Sequence, residues 1–422
     1  MQKRVVITGL GIVAPNGVGI DAFLKAIQTG KSGIKFNQQL ADLQFSCQIS
    51  GTPKVSESLK LDYFTELELR NFNSTGILYG VIAGIDAWKD AGLQIENRQQ
   101  PDWDSGTIFG AGTSGIEKFR ESIYKIDDLQ TRKLGSTAVA QTMNSGISAF
   151  LGGKLGLGNQ VTTNSSACAT GTEAILMAYE RIKSGKAKRV LAGSTSDSGP
   201  YIWGGFDAMK VCTFKHNDTP ETGSRPMSSS ASGFVPGSGA GALLLEDLES
   251  ALKRGAKIYA EVLGGNINSG GQRGGGTMTA PNAAAVQKCI KEAISDAGIS
   301  SQEIDTINGH LTATSKDFFE ISNWSEALGL NGRLFPYINS LKSTTGHCLS
   351  GSGSIESVAS ILQLHHGFIF PNINCEDLNP EITAIIDSSR IPQQIIHKEI
   401  NIVAKASFGF GDVNGCVIFK KY

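Results

Sequence analysis

An α/β fold built from two similar halves is the class this sequence predicts. Three observations predict it. Val- and Ile-rich runs of strand length alternate with longer helical patterns along all 422 residues. Two stretches of the first half reappear, in the same order, in the second. Glycine is abundant, at 51 residues, as many tight turns and close backbone approaches require.

The strands are expected at VVITGLGIVA (5–14), TIFGAG (107–112), RVLAGSTS (189–196), GALLLEDL (241–248), INGHLTAT (307–314), YINSL (337–341) and NIVAKASFGF (401–410). The helices are expected at 75–93, 172–186, 284–298 and 354–367. The first run follows two basic residues, as a signal peptide would. It is short, carries Thr8, Gly9 and Gly11, and ends in a Pro-Asn-Gly turn, so a buried first strand is the better reading. No segment reaches the ~18 apolar residues of a membrane helix.

The repeat is specific. Ala87-Trp88-Lys89-Asp90-Ala91-Gly92-Leu93 returns as Ala293-Ile294-Ser295-Asp296-Ala297-Gly298-Ile299. Both finish a helix on glycine, the usual C-terminal breaker. The run from Ala169 to Gly185 matches the run from Gly351 to Gly367, each with an early glycine (Gly171, Gly353). Two echoes in order predict halves at 1–250 and 251–422, divided near Asp247 to Gly255.

Composition narrows the function. A net charge of -1 gives no whole-chain reason to expect nucleic acid or an anionic membrane surface. Seven scattered cysteines include no C-x-x-C pair. That argues against a disulfide framework and a structural zinc site, and suits a reducing cytoplasmic setting.

One cysteine stands apart. In NSSACATG, Cys168 lies among small residues where a strand-like run turns into a helix-like one. A helix N-terminus would stabilise a thiolate, and its free N–H groups could hold an oxyanion. The other reading is a small hydrophobe in the core. Two of the six histidines, His310 in NGHLTAT and His347 in KSTTGHCLSGSG, follow apparent strands in small-residue loops. A cysteine with distant loop histidines is a nucleophile arrangement that only a fold assembles.

With these motifs the chain resembles the elongating β-ketoacyl-acyl carrier protein synthases of the thiolase-like superfamily. The resemblance runs nearly end to end. It rests on S-A-C-A-T-G at Cys168, GGFDAMK at 204–210, SRP at 224–226 and SGFVPGSGAG at 232–241. N-x-H-x-T-x-T at 308–314, K-S-x-x-G-H at 342–347 and F-G-F-G at 408–411 complete it. It implies a layered α-β-α-β-α thiolase-like fold and decarboxylative condensation on carrier-bound substrates. By the resemblance, Cys168 carries the acyl chain and His310 and His347 stabilise an enolate. Lys342 and Glu356 support the histidines, although an ordinary internal salt bridge is the plainer account of that pair. Phe410 gates the acyl pocket, and its N–H joins that of Cys168 in an oxyanion hole. Thr312 and Thr314 contact the pantetheine arm; Phe206, Thr279, Thr113 and Ala138 line the substrate path. Arg132, Lys133 and Lys210 dock an acidic acyl carrier protein, although solvated surface charge explains them equally. No metal or redox cofactor is implied. The implied assembly is a homodimer, or a heterodimer with a chain-length partner. A catalytically silent partner subunit is the rival function.

The chain also departs from that pattern. Leu311 stands where glycine is usual, and the loop from His310 to Asp317 is one residue short. Asp412 and Val413 replace Gly and Thr. Ser228 to Ser230 and Ser238 replace acidic residues, while Asp62, Glu66 and Glu68 stand where basic ones are common. Small residues at Thr113 and Ala138 predict a roomier tunnel. The condensation expected is that of fatty acid biosynthesis, and such a tunnel raises a polyene or polyketide chain as the more speculative alternative.

Overall fold

The computed structural model describes residues 2–95 and 99–422. Ten strands and eight helices position the site. In the first half they are β1 (Val5–Ala14), α1 (Thr75–Asp90), β2 (Ser105–Ala111), α2 (Ile116–Asp127) and α3 (Gly146–Leu155). They continue with β3 (Val161–Thr162), α4 (Thr170–Lys183), β4 (Arg189–Ser196), α5 (Pro200–Ala208) and β5 (Gly239–Asp247). The second half has β6 (Ala260–Ser269), α6 (Ala283–Ala297), β7 (Thr306–Asn308), α7 (Asp317–Leu328) and β8 (Tyr337–Asn339). It closes with α8 (Ser352–His366), β9 (Ile402–Gly409) and β10 (Val413–Lys421).

The strand order is β8-β7-β9-β10-β6-β1-β5-β4-β2-β3. Outward from the centre, one side runs 1-5-4-2-3 and the other 6-10-9-7-8, the same path with five added. The senses match too. Antiparallel pairs lie at the centre (β1/β5, β5/β4; β6/β10, β10/β9) and parallel pairs outside (β4/β2, β2/β3; β9/β7, β7/β8). The sides meet where Val5–Ile7 pairs with Ala260–Val262.

Each side is buried on both faces. Along β5, Leu243 and Leu245 enter the central core, while Ala242 and Leu244 enter an outer core with α1 and α3. Along β10, Val417 and Phe419 join the central core, while Cys416 and Ile418 join the outer core of α6 and α7. The period of two gives each strand two apolar faces and makes its sequence read as a continuous apolar run. The layers are therefore helix, sheet, helix, sheet, helix, with α4 and α8 in the middle.

The repeated glycines have their physical cause here. A Cβ on Gly171 would fall 2.3 Å from the Ser354 nitrogen, and one on Gly353 would fall 2.6 Å from the Thr172 nitrogen. The two central helices cross backbone against backbone. Every residue of α8 from Ser352 to Leu364 is buried. Its serines stay satisfied locally: Ser357 Oγ donates to Gly353 C=O at 2.7 Å and Ser360 Oγ to Glu356 C=O at 2.9 Å.

Two expectations change. The run INGHLTAT is a strand only over Thr306–Asn308; from Gly309 on it is a loop pinned by carboxylates. The strand AEVLGGNINS (260–269) was not expected, because Gly-Gly and Asn weaken its β signal. Gly264 and Gly265 are needed there: a Cβ would lie 2.5 Å from Asp296 Oδ2 and 2.4 Å from Leu176 Cδ2 respectively.

Gly171→Ala should thus destabilise the fold by about 3 kcal/mol or more, as overpacking against rigid backbone does. Gly153→Ala, an exposed site in α3 with nothing near its Cβ, should instead stabilise by roughly 0.5–1 kcal/mol. Urea denaturation of the two variants checks both signs.

Candidate active site

Cys168 sits in a single 3-10 turn, Ala167–Ala169, that opens α4. Ala167 has φ 49°, rare for a residue with a Cβ. The turn is held from both sides: Thr170 Oγ1 donates to Ala167 C=O at 2.6 Å and accepts the Ser166 N–H at 2.9 Å. The second half keeps the same elbow before α8. There Leu349 also has φ 49°, and Ser350 stands at the position equivalent to Cys168.

His347 is fixed through its backbone. Its N–H donates to Val235 C=O at 2.7 Å, and its C=O accepts the Gly237 N–H at 2.9 Å. The SGFVPGSGAG segment is thus the cradle of this histidine. Nδ1 accepts the Leu349 N–H at 3.1 Å, which puts the ring proton of the neutral form on Nε2. Ser352 Oγ lies 3.0 Å from Nδ1.

His310 is fixed by the acids that follow it. Glu320 accepts the His310 and Leu311 N–H groups at 2.7 Å each, and Asp317 accepts Thr312, Ala313 and Met227. Burial pushes Glu320 up to about 7 and Asp317 to about 6 against these bonds. Leu311 has φ 22° and Ala313 φ 62°. The loop therefore keeps a left-handed turn that glycine would take more cheaply. The Leu311 side chain offsets this by packing into the α6/α7 core.

Cys168 Sγ and the nearest ring nitrogens of His310 and His347 lie within 4.8 Å of one another. The rings meet edge to face at 5.3 Å. Behind them Glu356 is bracketed by Lys342 and by Lys405, whose Nζ is 2.8 Å away. All three are at most 2% exposed. Lys405 was missed from sequence; the available signal was a lysine inside an otherwise buried strand. Burial first, then the field of Lys342, holds both histidines well below their usual range, so both imidazoles are neutral.

The thiol behaves differently from the expectation of a helix-lowered thiolate. Burial pushes Cys168 up to about 11, although Lys342 and the N–H groups of Phe410 and Cys168 pull it down. The resting group is a thiol in a dry site.

A cavity of about 730 Å³ opens on these groups. Cys168, His310, His347 and Phe410 line it, with Phe206, Thr312, Thr314 and Thr279 farther along and Lys210 at its exposed rim. Phe410 packs on Phe206 at 5.9 Å, Phe206 on Phe234 at 5.6 Å, and Phe234 on His347 at 5.2 Å. Thr113 and Ala138 do not line this cavity; Thr113 is exposed on the loop before α2 and Ala138 is half-buried. Arg132 and Lys133 lie on an exposed turn beyond α2. Two departures find structural uses. Glu68 closes a capping box with Thr65 and pairs with Lys154 at 2.7 Å. At 228–230, Asp377 supplies the missing carboxylate, accepting from Ser228 and Ser229 and pairing with Arg225 at 2.9 Å.

Known proteins resemble this chain in sequence and fold. Residues 2–251 match the beta-ketoacyl synthase N-terminal domain and residues 259–376 its C-terminal domain. The chain is 34% identical over 425 residues to 3-oxoacyl-[acyl-carrier-protein] synthase 1 of Escherichia coli, spanning 100% of this chain and 99% of that one. Two solved structures align over 100% of both chains. One is a ketosynthase bound to a hexaketide in complex with its type II PKS acyl-carrier protein (TM-score 0.87, 28% identity). The other is the ishigamide ketosynthase/chain length factor (TM-score 0.88, 25% identity).

Two outcomes follow from the charges. Alkylation of Cys168 by iodoacetamide, followed by peptide mass spectrometry, should speed up continuously with pH toward about 11; a plateau near neutrality would mean a resting thiolate. Glu356→Gln, which strands two buried lysines, should cost about 3–5 kcal/mol in chemical denaturation, and Lys405→Met clearly less.

Proposed function

The chain belongs to the β-ketoacyl synthase family, and we propose that Cys168, His310 and His347 carry out its two half-reactions. It is an acyltransferase that forms carbon–carbon bonds. The carrying observation is the thiol and the two neutral imidazoles meeting at one end of a single cavity.

In the first half-reaction the Cys168 sulfur attacks an acyl thioester borne on an acyl carrier protein. The N–H groups of Cys168 and Phe410 take the developing oxyanion. The thiol proton leaves with the pantetheine sulfur, and the acyl chain stays on Cys168. In the second, a malonyl thioester enters and loses carbon dioxide. The electron pair of that bond becomes an enolate, whose oxygen accepts from His310 and His347. Neutral donors suit this role, because they stabilise the charge without protonating the carbon. The enolate carbon attacks the Cys168 thioester and expels its sulfur. A sulfur whose thiol sits near 11 recaptures a proton at neutral pH, which resets the site. Neither step moves electrons to an acceptor, so the phosphopantetheine arm of the carrier is the prosthetic group this chemistry uses.

Two chain classes compete for the cavity. We favour fatty-acid-type elongation, on the end-to-end 34% identity to the Escherichia coli enzyme. The likeness to a hexaketide-bound ketosynthase supports the polyketide alternative. The same reading divides the chain at 1–250 and 251–422, places it in the cytoplasm on its seven unpaired cysteines, and assigns Arg132, Lys133 and Lys210 to carrier docking. It also makes the protein a homodimer, or a heterodimer with a chain-length partner, through α2, where Phe119, Ile123 and Tyr124 are about half exposed. A silent-partner role is disfavoured by the intact Cys168, His310 and His347.

The test is intact-protein mass spectrometry with a panel of saturated and polyunsaturated acyl carrier proteins. An adduct should form, vanish in Cys168→Ala, and persist in His310→Ala and His347→Ala. Carbon dioxide release from malonyl carrier should fall in both histidine variants by roughly a hundredfold or more. No adduct with any chain would return the silent-partner reading, and the preferred chain decides the pathway.

A further inference from the structure

Asp412 lies on the turn that follows Phe410, with φ 62° and only 1% of its surface exposed. Glycine takes such a backbone most cheaply, and aspartate is one of the few others that tolerate it. A buried carboxylate there needs partners. Oδ2 accepts the Gln272 N–H at 3.0 Å, and Oδ1 accepts the Asn282 N–H at 2.8 Å. Beside them, Gly270 N–H donates to Asp412 C=O at 3.0 Å and Gly411 N–H to Met278 C=O at 2.8 Å. Four hydrogen bonds therefore join the Phe410 turn to the glycine-rich segment 270–282.

That segment supplies Gly274, Gly275, Thr279 and Ala280 to the exposed rim of the cavity. It is shaped around the carboxylate. A Cβ on Gly270 would fall 2.1 Å from Asp412 Oδ2, and one on Gly276 2.4 Å from it. Hydrogen bonds to an ionised acceptor are about twice as strong as neutral ones. The Asp412 side chain thus supplies two of the four bonds between segments 270–282 and 409–412, and the charge-assisted two.

We propose that Asp412 is a positioning residue that clamps the glycine-rich rim to the Phe410 turn and so holds the Phe410 N–H against the reacting thioester oxygen at Cys168. This rests on the reading that Phe410 serves the oxyanion. Asp412 itself touches no reacting atom; it acts through the two-residue span Phe410-Gly411. Its carboxylate makes the rim part of the oxyanion hole's support.

Asp412→Gly keeps the backbone angle available and deletes the carboxylate. Asp412→Asn keeps the shape but turns an amide N–H₂ toward one of the two donors. In the protein without substrate, hydrogen exchange at the Gln272 and Asn282 amides should quicken about tenfold or more in Asp412→Gly. Single-turnover acylation should be scaled to the Cys168 thiol that iodoacetamide can titrate. Its maximal rate should fall roughly ten- to hundredfold, with the half-saturating carrier concentration changed less than about twofold. Asp412→Asn should lie between. Unchanged exchange overturns the clamp. Faster exchange with an unchanged scaled rate overturns the positioning role, as does a rate lost only in step with the titratable thiol. A wild-type protein that no carrier acylates would defeat the assigned function instead, while the exchange result still decides the clamp.

Discussion

The backbone contact between α4 and α8 is the constraint on which the rest of this molecule depends. Two buried helices usually keep side chains between them. Here Gly171 and Gly353 remove those side chains at the crossing, close to the N-terminal end of each helix. Cys168 opens one helix, and Ser352, which touches His347, opens the other. Bringing the two helix starts together therefore brings Cys168 to the His347 loop. Any residue larger than glycine at either position would push apart the ends that carry Cys168 and Ser352.

Charge then decides what the assembled groups can do. Glu356, buried in the central helix α8, holds Lys342 and Lys405 in a dry interior where neither would stay alone. Burial first, and then the field of Lys342, keeps the imidazoles neutral, and Lys342 pulls on the Cys168 thiol without overcoming burial. Burial raises the thiol, against the pull of the Phe410 and Cys168 N–H groups.

The departures at the site edges are accommodated by local exchanges. Leu311 takes a costly backbone angle and recovers packing in the outer core. Asp377 replaces a carboxylate missing from 228–230. Asp412 turns a glycine-like position into a junction between two loops. In each case a change in sequence is matched by a partner far along the chain.

Much of the fold was legible in the sequence. Strands buried on both faces read as apolar runs, and a helix that must end on a left-handed residue announces itself with glycine, as at Gly92 and Gly298. Cys168, His310 and His347 stood out as candidates because a cysteine or histidine among small residues is conspicuous locally, and the fold brings the three together. What the sequence by itself determined is the duplicated α/β plan, the two central helices and the candidate trio Cys168, His310 and His347, which the fold brings within 4.8 Å. Only the tertiary structure decided Lys405's place in the ion cluster, the proton position on His347, the raised thiol and the span of Asp412. The physical reason is that these depend on burial and on partners distant in sequence. A lysine inside a strand pattern cannot declare that it faces a glutamate forty-nine residues earlier, at Glu356. A helix N-terminus cannot declare that dehydration will outweigh its dipole.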